Sequence, residues 1–143
     1  MTAAVSLASD EMRSPHAGVD TFLLEGKDPS AIALRFLSGN RSYGDLALAV
    51  TRVADYLLSL GCRKGERVLL IGENSFFWVA SYIGAMRAGL VCVPQPTDVS
   101  PQELRDLSNF TGAVVAFVDA KLCKSHLSTL PIQDLQRLLC WKN

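Results

Sequence analysis

GERVLLIGENSFFWVASYIGAMRAGLVCVPQP, residues 65–96, decides the fold of this chain. It reads as strand, turn, apolar helix, glycine stop and second strand, together one right-handed βαβ unit. VLLI at 68–71 is a short, wholly apolar strand, and LVCV at 90–93 is a second, stopped by Pro94-Gln95-Pro96. Strands without a polar face must be covered on both sides, which puts the run inside a layered parallel sheet. The helix between them carries Phe76, Phe77, Trp78, Val79, Tyr82, Ile83 and Met86, so nearly every side is apolar. Ala80, Ser81, Gly84 and Ala85 are small enough to admit a close neighbouring backbone. Asn74 or Ser75 is placed to cap this helix, and Gly89 to end it after Arg87, whose charge suits the negative end of the helix dipole. So much apolar surface predicts cover from further chain, and a functional molecule larger than these 143 residues.

The flanking sequence extends the same alternation. Residues 21–24 fit a short helix or a strand, and AIALRFL at 31–37 fits a first strand followed by a Ser38-Gly39-Asn40 turn. Ser42 with Asp45 is close to a capping box. Beyond it Leu46, Ala49, Val50, Val53, Ala54, Leu57 and Leu60 recur at helical spacing, with Gly61 as the stop and Cys62 as its apolar contact. Ser100-Pro101-Gln102-Glu103 is a strong helix start, with Leu104, Leu107 and Phe110 expected to face inward. AVVAFV at 113–118 is a third parallel strand ended by Asp119; short helices are expected at 121–126 and 132–139, separated by Leu130-Pro131. The whole predicts an α/β fold, a doubly wound, mostly parallel sheet with flanking helices. Ligands of such sheets sit at the carboxyl ends of the strands. The candidate ligand-side turns are therefore those at 72–75, 94–100 and 119–121.

Composition narrows the function. Fourteen basic residues balance fourteen acidic ones, with Arg63, Lys64 and Arg67 the densest basic group. No net field draws nucleic acid or an anionic membrane. Residues 1–18 lack the basic start and unbroken apolar core of a targeting peptide and read as a disordered lead-in, leaving 19–143 as the folded unit. No apolar stretch approaches the ~18 residues of a membrane span. Cys62, Cys92, Cys123 and Cys140 have no CxxC spacing, which points to a reducing, cytoplasmic setting. Cys123 and His126 are only two ligands, too few for a zinc site.

Chemistry-bearing residues are sparse. Gly72-Glu73-Asn74-Ser75 stands where a nucleotide fold holds phosphate, but it has one glycine and an acid, and a capped strand-to-helix turn accounts for it better. Tyr43 reads as an anchor of its helix against the sheet rather than a catalytic phenol. Phe76-Phe77-Trp78 reads as core rather than a substrate channel. His16 and His126 lack a nucleophile setting. Asp119 is the carboxylate best placed for a ligand, though an acid ending a strand commonly caps the next helix. No catalytic, cofactor-binding or metal residue is assigned.

Four of these stretches together carry a family resemblance. Arg41-Ser42-Tyr43-Gly44-Asp45-Leu46 resembles the early Thr/Ser-Tyr-x-Glu/Asp-Leu motif of the adenylate-forming superfamily. That superfamily includes acyl-CoA synthetases, acyl-AMP ligases, luciferases and nonribosomal peptide synthetase adenylation domains. Met86 to Pro94 is similar to its Ala-Gly-x-x-x-x-Pro strand entry, and Gly65-Glu66-Arg67-Val68 with Glu73-Asn74-Ser75 fits the stretch between. Ser100 to Leu104 fits the following helix, so the likeness runs from about Pro29 to Leu122. It implies part of an ATP- and Mg²⁺-dependent ligase that joins a carboxylic acid to the thiol of coenzyme A or a carrier protein. In that family the phosphate loop, the adenine and ribose contacts and a mobile lysine belong to later motifs, and none occurs here. The resemblance therefore implies an N-terminal subdomain, truncated before the phosphate loop, partnered by the remainder of the adenylation domain and inactive alone, with no ligand expected on this chain. A stand-alone interaction or regulatory module is the alternative. A small nucleotide-binding domain of another family is disfavoured by the missing glycine-rich loop.

Overall fold

The computed structural model describes residues 18–122 and 137–141. Its elements run α1 (Val19–Leu24), β1 (Ile32–Phe36), β2 (Gly39–Ser42), α2 (Tyr43–Ser59), β3 (Arg67–Ile71), α3 (Phe76–Arg87), β4 (Val91–Gln95), α4 (Pro101–Thr111), β5 (Val115–Asp119) and β6 (Arg137–Trp141). Strands β4-β3-β5-β6 form one sheet in that order, all pairs parallel. β1 and β2 form a separate antiparallel hairpin.

Val68 to Ile71 of β3 are each 0% exposed. Alternation splits them between two faces. Val68 and Leu70 join Val115, Phe117, and Phe77 and Ala85 of α3 in one cluster, to which α2 adds Ala54 and Leu57. Leu69 and Ile71 join Ala116, Val118, Val99 and Leu104 of α4 in another. The chain steps from β3 through α3 to β4 on one side, then through α4 to β5 on the other. Its strand order thus reverses between β3 and β5.

Helix α3 is apolar all round because it is covered on two sides by this chain itself. One side lies on the sheet cluster, and Ala80 and Ile83 meet Leu24, Leu46 and Val50 of α1 and α2. A β-carbon on Gly84 would stand 2.6 Å from Val53 Cβ and 3.1 Å from the Val50 carbonyl oxygen, so glycine sets how close α2 and α3 come. Arg87, at the end of α3, donates from Nε to Asp20 (3.0 Å) and from Nη1 to Thr51 (2.8 Å), tying α1 and α2 to it. Arg67 holds the far end of α4 by donating to the carbonyls of Thr111 and Gly112.

The helix ends follow local chemistry. Ser42–Asp45 and Ser100–Glu103 are complete capping boxes, and Ser75 caps α3. Accepting hydrogen bonds from Ser42 and Ser100 holds the carboxyls of Asp45 and Glu103 below their ordinary range, because those bonds favour the charged form. At the other end of α2, Gly61 (φ 80°) and Cys62 return their N–H groups to Leu58 and Leu57, a Schellman closure.

Several expectations are corrected. Residues 31–37 do not feed the parallel sheet: β1 ends at Phe36, turns over Leu37 and Ser38, and pairs back from Gly39. A two-residue loop reverses the chain, so the partner must be antiparallel. β4 runs on through Pro94 to Gln95; it is an edge strand, where a missing N–H is tolerated. Phe110 is 90% exposed, not inward, since it lies about 120° around the helix from Leu104. Ser108 takes the buried place instead. Residues 137–139 belong to strand β6 rather than a helix, because the open edge of β5 recruits them as a partner. Residues 120–122 open the expected helix at 121–126. Its remainder, residues 132–136, the break at Leu130-Pro131 and residues 1–17 of the expected lead-in 1–18 lie outside the described residues. Among those described, no helix is long and apolar enough to cross a membrane.

The α2–α3 contact generates a paired prediction. Gly84→Ala should lower stability by about 1–3 kcal/mol through overpacking. Ser81→Ala, which removes a buried hydroxyl without a partner, should leave stability unchanged or raise it by up to about 1 kcal/mol. Urea unfolding midpoints of the two variants check this.

Candidate functional site

Where the strand order reverses, the turn after β3 meets the turn after β5. A β-carbon on Gly72 would lie 3.4 Å from Asp119 Cβ and 3.8 Å from Trp78 Cδ1, ordinary contact distances. Gly72 is not among the glycines with positive φ. Its turn therefore does not bend back on itself as a phosphate-cradling nest does. The side chains here are committed to structure. Ser75 Oγ accepts from the Trp78 N–H at 3.1 Å, and Asp119 Oδ1 accepts from the Lys121 N–H at 2.9 Å, capping the turn that follows. Glu73 and Lys121 face each other at 4.0 Å, both well exposed, a weak pair in water.

This junction presents two carboxylates and one lysine, which faces Glu73. A triphosphate needs convergent N–H groups and a surplus of cations, whereas carboxylates outnumber cations here, so these residues do not fit ATP phosphates. Among the described residues no group of three or more His, Cys, Asp and Glu could hold a metal ion.

The remaining candidates resolve into packing. The turn after β4 lies on the opposite side of β3 from β5; there Val99 is buried against α4 and Ser100 is used in its capping box. Tyr43 packs among Leu24, Leu46 and the hairpin rather than on the parallel sheet. Phe77 is core, edge-on to Phe117 at 6.0 Å; Trp78 and Tyr82 stack at 5.3 Å, half-buried. His16, Cys123 and His126 lie outside the described residues, as does the side chain of Cys140. Sequence reasoning missed Arg41, whose guanidinium sits 5.6 Å over the Phe76 ring. Only the hairpin brings the two together, and no local pattern announces it.

Comparison with known proteins agrees with this architecture. Residues 25–140 match the family described as AMP-binding enzyme. The chain is 36% identical over 87 residues to the 3-hydroxybenzoate–CoA ligase of Aromatoleum sp. (strain CIB), covering 59% of this chain and 17% of that protein. It is 29% identical over 102 residues to nonribosomal peptide synthetase 4 of Gibberella zeae, covering 71% of this chain and 1% of that one. Among solved structures, a benzoate CoA ligase from Burkholderia xenovorans LB400 superposes with a TM-score of 0.80 at 22% identity, over 87% of this chain and 26% of that one. The chain thus spans about a sixth of the ligase and a quarter of the solved structure.

One nucleophile can be tested directly. Burial in β4 pushes the Cys92 thiol up to about 12, roughly a thousandfold less thiolate near neutral pH than an ordinary cysteine. Iodoacetamide at pH 8 should leave Cys92 unmodified in the folded chain and label it after denaturation, as read by peptide mass mapping.

Proposed function

We propose that this chain, which belongs to the AMP-binding enzyme family over residues 25–140, contributes the N-terminal scaffold layer of an ATP-dependent carboxylic acid–thiol ligase. In that reading an acid is activated as its acyl-adenylate and passed to the thiol of coenzyme A or a carrier protein, in a reducing compartment such as the cytoplasm. The residues here hold the sheet in shape, and the groups that contact ATP, Mg²⁺ and the acid are supplied by the rest of an adenylation domain. One observation carries this division of labour: Glu73 and Asp119 put carboxylates at the strand-order reversal, where nucleotide phosphates would meet repulsion. Its similarity to CoA ligases for 3-hydroxybenzoate and for long-chain fatty acids supports the reaction class.

The corresponding test is acid-dependent ATP–pyrophosphate exchange with the purified 143-residue chain, Mg²⁺ and a panel of aromatic, fatty and amino acids. No exchange above the acid-free background is expected. Exchange that depends on one of the acids would overturn the scaffold reading.

A further inference from the structure

Away from the strand-order reversal, Arg41, Asp45, Leu48, Ala49, Arg52 and Phe76 line a concavity between the hairpin, the first turns of α2 and the start of α3. Its volume is about 240 Å³, below the roughly 300 Å³ at which small-molecule pockets begin. It suits one side chain better than a nucleotide. The floor is apolar and partly wet, with Leu48 53% exposed beside Phe76.

The rim is basic on balance, two guanidiniums against the one carboxylate of Asp45. Among the described residues no ion pair engages Arg41 or Arg52. Arg41 is held in place by the Phe76 ring and by its bond to the Asn40 carbonyl at 3.4 Å. Asp45, the lining's one carboxylate, already accepts from the Ser42 N–H at 3.0 Å in the capping box. Two guanidiniums around an apolar floor, in a chain of zero net charge, form a local positive patch that the rest of the surface does not require.

We propose that this concavity docks an acidic peptide segment of a partner protein, with one apolar side chain seated on Leu48 and Phe76 and flanking carboxylates paired to Arg41 and Arg52. Guanidinium forks favour carboxylates geometrically as well as by charge. The concavity lies apart from the strand-order reversal, so its occupancy is tested without reference to ATP or acid.

Fluorescence anisotropy tests it, using the 143-residue chain and a labelled peptide carrying one leucine between glutamate pairs. Binding that weakens with added salt is expected. Arg52→Glu should weaken it about tenfold, and Leu48→Ser should weaken it at unchanged salt dependence. Peptides with serine for leucine or lysine for glutamate should bind more weakly than the parent. Arg52 and Leu48 are exposed, so melting temperatures of both variants should match the parent chain and separate docking from folding. Equal binding of all three peptides, or unchanged affinity in both variants, overturns the proposal. So does binding to phosphatidylserine vesicles, or self-association in sedimentation, with no binding of the acidic peptide.

Discussion

Complete burial of β3 is the constraint on which the rest of the structure depends. Val68 to Ile71 have no exposed surface. A strand with apolar residues on both faces is stable only when helices cover both. That requirement sends α3 to one face and α4 to the other, and it makes β4 and β5 the two neighbours of β3. The strand-order reversal, and with it the one place where a sheet of this kind takes a ligand, follows from the same four residues. Each fully buried leucine or valine here contributes about 1.5–3 kcal/mol, so the strand outweighs any surface contact in the chain.

The helices then close around that strand through short-range devices. Gly84 lets α2 approach α3, capping boxes start α2 and α4, and Arg67 and Arg87 fasten ends that lie far apart in sequence. None of these contacts performs chemistry. At the strand-order reversal the same economy holds, with Ser75 and Asp119 spent on backbone N–H groups. Under the function proposed above, these contacts make the chain a frame on which other parts of a ligase carry the reactive groups; the family match over residues 25–140 is where that proposal starts.

Much of the fold could be read from residue pattern alone. The βαβ run, the cap of every long helix, Gly61 as a stop and the parallel pairing of β3, β4 and β5 all rest on local or nearest-neighbour physics, which sequence exposes well. What escaped it depends on distant partners. Whether 31–37 joins a sheet or folds back depends on a turn displaced by one residue, from Ser38-Gly39-Asn40 to Leu37-Ser38. Whether Pro94 ends a strand depends on β4 being an edge. Strand β6 exists because β5 has a free edge. At the candidate site, the capping roles of Ser75 and Asp119 were within reach. The Arg41–Phe76 contact was not, because those residues are 35 positions apart in sequence and meet only through the hairpin.

Native-state hydrogen exchange on the intact chain tests the primacy of β3 most directly. Amides of Leu69, Leu70 and Ile71, with those of Ala116 to Val118 beside them, should exchange only through global unfolding, while amides of β4 and the hairpin open locally at lower free energy. If β3 amides exchange as readily as those of β4, the sheet is not organised around that strand.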